Sequence, residues 1–443
     1  MAVDVRPLTA VLVLAVVLAA GTAVSVAVAE AGTEEPDPTT QSVPLEDADH
    51  ELWLYTTPTR SFDRPTLAVN VVVYGAPEDV RAAFLRRGEG NWNETDPNES
   101  DVAPNEAADA ADADPTDAAR IEWDMADGSR RYAHLSRPEG GVWLTEAYQV
   151  HDGDYLGSRH HVRAYTAPAG DANWTALQAH HEHWDWFSGR HVVTSTDDSQ
   201  VYVEREFVDE RGAPSITRVP VGDATTVDFD HWVTVIDFRE SAPTNRVSAG
   251  IESASSPTPA EVLASAALFV LVGAVGAVGA RLGEVSTALR REFRGADART
   301  VLLGVVIVAV LLSVRLTGIA IERSFGVPPK PVAFVLSPLL YVGLPVATGL
   351  LARPLDRTRA FAGASLGFLT ALLVDYTYLG VTRLPLDLLV HRGTLAVALG
   401  LIAAGCTHLH RDRTDQHRYL RLGILLWVVA TGVPLLRHTP LPV

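Results

Sequence analysis

The densest group of side chains able to do chemistry is the run His180, His181, Glu182, His183, Trp184, Asp185, Trp186. On a strand, alternate residues share a face, so His181, His183 and Asp185 would point one way and His180, Glu182, Trp184 and Trp186 the other. A His-x-His pair on a strand can hold zinc through two imidazoles. His160 or His161 from a preceding strand, or His191 just beyond, would complete three ligands and leave one position open. Zinc held in that way activates water for hydrolysis, with Glu182 or Asp185 as the base or as an orienting partner. His160, His161, His181, His183 and His191 are therefore the candidate zinc ligands, and a metal-dependent hydrolase is the activity they would serve. The plainer expectation is no cofactor at all, with polar residues on a sheet face and aromatic rings packed beneath them. Runs of histidine are far less diagnostic than paired Cys-x-x-Cys, and Trp184 and Trp186 are more often core than a platform for sugars.

Other chemistry has little support. Cys406 is the sole cysteine and lies in an apolar stretch, which excludes an intrachain disulfide and a thiolate metal site. There is no phosphate-binding glycine loop. A second pair of residues stands out for its surroundings. Arg315 and Asp375 sit in apolar segments, where ionisable groups are functional candidates by default. Each lies 16 residues after a boundary arginine, Arg299 and Arg359, which at about 1.5 Å per residue puts both about 24 Å along their helices. Equal depth predicts an intramembrane ion pair. Its role is structural or, alternatively, part of a substrate or proton path.

The elements that must carry these residues belong to two different solvents. From Glu30 to Thr258 the chain has 43 acidic and 17 basic residues, and elsewhere 11 acidic and 19 basic. Apolar stretches near the 20 residues needed to cross a bilayer occur at 8 to 29, 259 to 280, 300 to 321, 332 to 352, 360 to 380, 393 to 407 and 422 to 436. Loops holding Arg281, Arg290, Arg291, Arg294 and Arg299, then Arg353, Arg357 and Arg359, then Arg411, Arg413, Arg418 and Arg421 alternate with loops that are poor in basic residues. The rule that positive loops stay inside puts residues 30 to 258 outside the cell membrane.

The organisation expected is a segment at 1–30 that is either an anchor or a signal peptide ending Ala27-Val28-Ala29, then a polar linker over 31–50. An acidic α+β extracytoplasmic domain with a mostly antiparallel sheet follows at 51–250, and an all-α polytopic transmembrane bundle of six helices at 259–443. Residues 94 to 119, dense in Asp, Ala, Asn and Pro, read as a disordered insertion. Asn93, Asn98 and Asn173 head glycosylation sequons, all on the outside.

Within the acidic domain, strands are expected at 52–56, 67–74, 120–125, 130–135, 142–150, 159–166, 174–187, 191–195, 215–220 and 231–239. Pro77, Glu78 and Asp79 open a helix whose buried stripe is Val80, Ala83 and Phe84, and a second helix is expected at 199–211. A domain this acidic does not bind nucleic acid, which needs a basic face. Its partners are the lipid bilayer and, outside, a surface glycoprotein or glycan. With 35 arginines, one lysine and dispersed acids, the composition resembles that of haloarchaeal proteins, where screening by molar salt tolerates the repulsion.

The stretch Gly157 to Glu206, with Arg159, His160, His161, Val162 and Arg163, then Ala176, then Val203, Glu204, Arg205 and Glu206, resembles the LssY-like C-terminal domain family. The lead from Val69 to Gly75 into the helix at Pro77 is similar to that family's opening. The likeness covers about 150 residues of the acidic part and none of the C-terminal bundle. It implies membership of the envelope and no particular reaction. Such domains occur fused to lipid-phosphatase-type membrane segments, but the Lys/Arg, Ser-Gly-His and Arg/His constellation of those enzymes is absent from this sequence. The acidic insertion and the His-His-Glu-His run depart from the family pattern. The reading favoured is a surface protein that binds or organises envelope material. The alternatives are the metal-dependent hydrolase and a transporter or sensor.

Overall fold

A computed structural model of the chain describes residues 42–45, 50–87, 90–95, 108–109, 130–168, 173–208, 215–221, 232–238, 298–381, 384, 386–407 and 413–438. The expected segments at 8–29 and 259–280, the strand at 120–125 and Asn98 lie outside the described residues. By its contacts the chain divides into two units. One comprises 29–184 and 190–250; the other comprises 1–28, 185–189 and 251–443.

The first unit is built on two sheets. In the smaller, five strands run in the order β1 (Ser42–Pro44), β2 (Glu51–Trp53), β6 (Tyr132–Ser136), β7 (Val142–Thr145) and β5 (Ala108–Asp109). The larger follows the order β12 (Ser215–Pro220), β13 (Trp232–Asp237), β3 (Val71–Tyr74), β10 (Trp174–Asp185), β9 (Ser158–Thr166), β8 (Tyr148–Gly153) and β4 (Asn93–Glu94), with β11 (Arg190–Ser195) also paired to β10. The pairs β1–β2, β2–β6, β6–β7, β5–β7, β12–β13, β3–β10, β9–β10, β8–β9 and β4–β8 are antiparallel, and β13 runs parallel to β3.

Alternation along β9 and β10 sends their side chains to two cores. Tyr165, Trp174 and Ala176 join Leu52, Leu54, Leu135 and Leu144 of the smaller sheet. On the opposite face Val162, Ala164, Leu177 and Ala179 pack with Val80 and Phe84 of α1 (Pro77–Arg87) and with Val203 and Phe207 of α2 (Asp197–Val208). Both helices open on acids that complement their dipoles, and the Asp198 amide donates to Ser195 Oγ at 3.0 Å.

Four expectations differ from the structure. Within the span 31–50 expected as a polar linker, Ser42–Pro44 form β1 and pair with β2, because Val43 and Leu45 are buried in the core of the smaller sheet. The run 142–150 is not one strand. It breaks at Glu146, so that β7 stays in the small sheet while β8 joins the large one, and the Ala147 amide donates to the Ala164 carbonyl at 2.7 Å. The strand expected over 174–187 ends at Asp185, because the Asp185 side chain caps a turn by accepting from the Phe187 amide and the Ser188 hydroxyl. Within the span 94–119, Glu94 pairs with Val150 and Ala108–Asp109 pair with β7, so that span contributes two short strand pairings.

Asn70 fixes where β10 changes partners. Trp174 to Leu177 face β3; beyond that the Asn70 side chain accepts from the Ala179 amide at 2.9 Å and donates to the carbonyls of Ala179 and Thr196 at 2.9 and 3.2 Å. The buried amide thus takes over the backbone's role at the junction, partnering the Ala179 amide and the carbonyls of Ala179 and Thr196. That arrangement frees the second half of β10 to meet β11.

In the second unit the described helices are α3 (Ala298–Phe325), α4 (Pro329–Ala352), α5 (Arg357–Tyr378), α6 (Leu386–Gly405) and α7 (Arg413–His438). Among the described residues, four helical stretches, Ala298–Phe325, Pro329–Ala352, Arg357–Tyr378 and Leu388–Gly405, are long and apolar enough to cross a membrane. They correspond to the expected segments at 300–321, 332–352, 360–380 and 393–407. The segment expected at 422–436 lies in α7, which is not among those four.

Helix α4 contains a π turn at Leu339–Gly343, between Pro338 and Pro345. Proline removes a backbone donor and widens the ladder there. The Tyr341 carbonyl is consequently open to the Trp427 indole N–H, which donates to it at 2.8 Å. Helix α5 begins at the cap Asp356, whose carboxylate accepts from the Arg359 amide at 3.0 Å. Its Gly367 meets Gly304 of α3 so closely that a Cβ at Gly367 would lie 2.6 Å from the Gly304 Cα.

Candidate functional site

Strand register decides which imidazoles meet. His180 pairs with His161, His181 with His160, and Glu182 with Arg159, while on the next strand His151 pairs with His161. The candidate zinc ligands are therefore divided between two faces. His160, His181 and His183 lie with the helix-covered face; His161 lies on the other, with His180 and Glu182, and is joined there by His191 of β11.

On the helix-covered face His160 bonds Ser199 Oγ at 2.7 Å and stacks on Tyr202 with the ring centres 4.0 Å apart. His181 Nδ1 lies 2.9 Å from Thr194 Oγ1. The rings of His160 and His181 are 4.8 Å apart. Burial, aided by the neighbouring His181, pushes the His160 pKa down to about 3, so the ring is neutral at ordinary pH.

The opposite face holds a buried polar network centred on one carboxylate. Glu182 is 1% exposed; its Oε1 accepts from Arg159 Nε at 2.7 Å, and its Oε2 lies 3.0 Å from His180 Nε2. His161 Nδ1 and His191 Nδ1 lie 3.7 and 4.0 Å from Oε1. Outside this ring of groups, His161 Nε2 bonds Gln149 Oε1 at 3.0 Å, His180 Nδ1 meets Gln178 Nε2 at 3.0 Å, and His191 Nε2 donates to the Tyr155 carbonyl at 2.9 Å. Next along the same strand face, Arg163 pairs with Glu146 at 2.6 Å.

Electrostatics in this cluster favours one ion pair among neutral rings. Burial lowers the pKa of His161 and His180, and it lowers that of His191 to about 4. Burial also opposes charge on Glu182, but the cationic groups around it, with the bond from His180, outweigh that and hold its pKa well below the usual carboxylate range. With the imidazoles neutral, the cation that keeps Glu182 ionised is Arg159. Within the cluster, the ligand atoms of His161, His180 and Glu182 all lie within 4.8 Å of one another, a spacing a metal ion could bridge.

Sequence reasoning found the histidines but missed Arg159, Gln149, Gln178, Arg163 and Glu146. The signal was present in the alternation Arg159, His161, Arg163 opposite Gln178, His180, Glu182, but it needs the register of β9 against β10 to be read.

The helical unit has its own buried charges. Arg315 of α3 meets Asp375 of α5 in a two-pronged pair, with Nε to Oδ1 and NH2 to Oδ2 both at 2.9 Å. The turn 185–189, which belongs to this unit, adds Asp185 in an ion pair with Arg392, whose Nε donates to the Tyr376 hydroxyl at 3.0 Å. Trp186 lies against Arg315, with the guanidinium 5.8 Å from its ring centre, and Phe187 packs edge-on to Phe368 at 5.4 Å. A small cavity is lined by Asp185, Trp186, Arg315, Asp375 and Tyr376. Of the glycosylation candidates, Asn93 and Asn173 are exposed. No family model, no curated protein and no solved structure matches the chain.

Proposed function

We propose that the chain is a multi-pass protein of the cell membrane that carries its acidic sheet unit on the outer side, where the unit binds or organises envelope material without catalysing a reaction. The observation that carries this reading is the burial of the histidine groups. His180 and His183 are 0% exposed and His161 and Glu182 only 3% and 1%, and hydrolysis by a bound metal needs a coordination position that substrate and water can reach. The acidic excess of residues 30 to 258 and the alternation of arginine-rich loops support the outward placement. A surface glycan or glycoprotein in high salt fits an acidic, salt-tolerant face, and envelope membership is what the LssY-like resemblance implies.

The test combines topology and binding. In a Cys406→Ser background, single cysteines at Asn173 and at Arg357 are exposed to a membrane-impermeant maleimide on intact cells. Labelling at 173 alone is expected, and labelling at 357 alone would overturn the orientation. Retention of isolated envelope glycan by the full chain in detergent is the expected binding result; hydrolysis of that glycan would overturn the non-catalytic reading.

The cavity beside the Arg315–Asp375 and Asp185–Arg392 pairs favours a second reading, a sensor or transporter. Charge reversal at Arg315 and Asp375 together that preserved folding but abolished ion flux would favour it.

A further inference from the structure

The polar network on the inner face of β8 to β11 leaves lone pairs where a cation would lie. His161 Nε2 faces a carboxamide oxygen, Gln149 Oε1, so the proton sits on Nε2 and Nδ1 is bare. His191 Nε2 donates to the Tyr155 carbonyl, so its Nδ1 is bare as well. Both bare nitrogens face the same Glu182 oxygen, at 3.7 and 4.0 Å, and His161 Nδ1 is buried with no hydrogen-bond partner. Two imidazole lone pairs aimed at one carboxylate oxygen repel it unless something positive lies between them.

The third imidazole fits the same pattern. Gln178 presents Nε2 to His180 Nδ1 at 3.0 Å, while its Oε1 is buried with no hydrogen-bond partner. The two ends of a carboxamide have the same shape, and turning this one over gives His180 Nδ1–H an acceptor and bares Nε2, which faces Glu182 Oε2 at 3.0 Å. In that arrangement all three imidazoles send an outer N–H to a carbonyl-type oxygen and an inner lone pair toward Glu182. Outer hydrogen bonds of this kind are how proteins orient histidine ligands of metals. The ligand atoms of His161, His180 and Glu182 all lie within 4.8 Å of one another and His191 Nδ1 lies 4.0 Å from Glu182 Oε1, so a metal would draw the four side chains in toward the ligand-to-ligand edge of about 3.4 Å that tetrahedral zinc requires.

We propose that His161, His180, His191 and Glu182 form a closed, structural site for a divalent metal of the zinc and cobalt class. The four ligands come from β9, β10 and β11, so the metal would fasten the hairpin strand β11 to the sheet. It differs in residues, face and purpose from a His160, His181, His183 site: no position is left for water, so it stabilises and does not hydrolyse. Arg159 remains bonded to the carboxylate as an outer partner, and its positive charge sets an upper limit on affinity.

The full chain, purified in detergent at molar salt, is dialysed against Zn2+ or Co2+ and then against metal-free buffer. About one metal ion per chain is expected, with the visible absorption of tetrahedral Co2+ in the cobalt form. His161→Gln and His191→Gln should each lower retained metal at least tenfold, and His183→Gln, on the opposite face, should leave it unchanged. Should the first two variants not fold, the wild-type chain decides: chelator must lower its melting temperature and Zn2+ must restore it. No retained metal with no chelator effect overturns the site, as does loss of metal in His183→Gln with retention in His161→Gln.

Discussion

Both units bury charge, but they do so with different chemistry. In the sheet unit one carboxylate, Glu182, is surrounded by groups brought to it by strand register, and most of them are imidazoles whose charge can be given up. In the helical unit the partners are arginines, which stay charged, and they come from distant parts of the chain: Arg315 with Asp375, Arg392 with Asp185. Losing a partner costs most where the survivor cannot change its protonation state. A sheet can therefore host a cluster that adjusts to pH or to a metal, whereas the helical core depends on complete pairs.

The largest effect that would test this contrast is at Arg315 and Asp375. Arg315→Gln or Asp375→Asn leaves a buried charge unpaired and should cost about 3–5 kcal/mol, read as loss of monodisperse protein in detergent. Exchanging the two charges, Arg315→Asp with Asp375→Arg, should restore the yield; failure of the exchange would mean that the pair is held by its surroundings and not by charge.

Next in size is Asn70→Ala, which removes the three side-chain hydrogen bonds at the β10 junction. It should destabilise the sheet unit by about 3 kcal/mol in thermal melts. A loss below about 1 kcal/mol would show that β10 changes partners without it. In the helical unit, Gly367→Ala drives a methyl group into the backbone of α3 at Gly304 and should cost about 2 kcal/mol, with an unchanged melting temperature as the contrary result.

The pH response should separate the units. His134 and His151 have pKa values lowered to about 4 and His160 to about 3, in each case chiefly by burial. A neutral ring in the folded state against an unfolded pKa near 6.5 means that the unfolded chain binds more protons below pH 6.5. Stability is thus lost as pH falls from about 6.5 towards 4, by about 2 kcal/mol per imidazole at pH 5. Tryptophan fluorescence melts at pH 7 and pH 5 would register this; a rise in melting temperature on acidification would contradict it. The smallest effect is expected at the exposed Arg81–Glu94 pair, where Glu94→Gln should change stability by less than about 0.5 kcal/mol.

Much of the architecture was legible from local patterns. The β-branched and alternating runs gave strands close to those observed, Pro77, Glu78 and Asp79 marked the first helix, and apolar length marked the four helical stretches able to cross a membrane. The spacing of Arg315 and Asp375 from Arg299 and Arg359 put them at one height, and in the structure they are bonded. Less could be read where a residue acts against its neighbours in sequence: Glu146 ends one strand to pair with Arg163, and Asp185 turns the chain inside an otherwise continuous apolar and polar alternation.

The sequence by itself determined the acidic and the apolar parts of the chain, most of the elements and the two faces of β10, because hydropathy, length and a period of two are properties of a segment alone. Only the tertiary structure decided that His161, His180, His191 and Glu182 meet while His160, His181 and His183 lie elsewhere, and that Asp185 answers Arg392. Those meetings depend on register and on which strand or helix becomes a neighbour. Both are fixed by how distant segments bury their surfaces together, and no single segment encodes them.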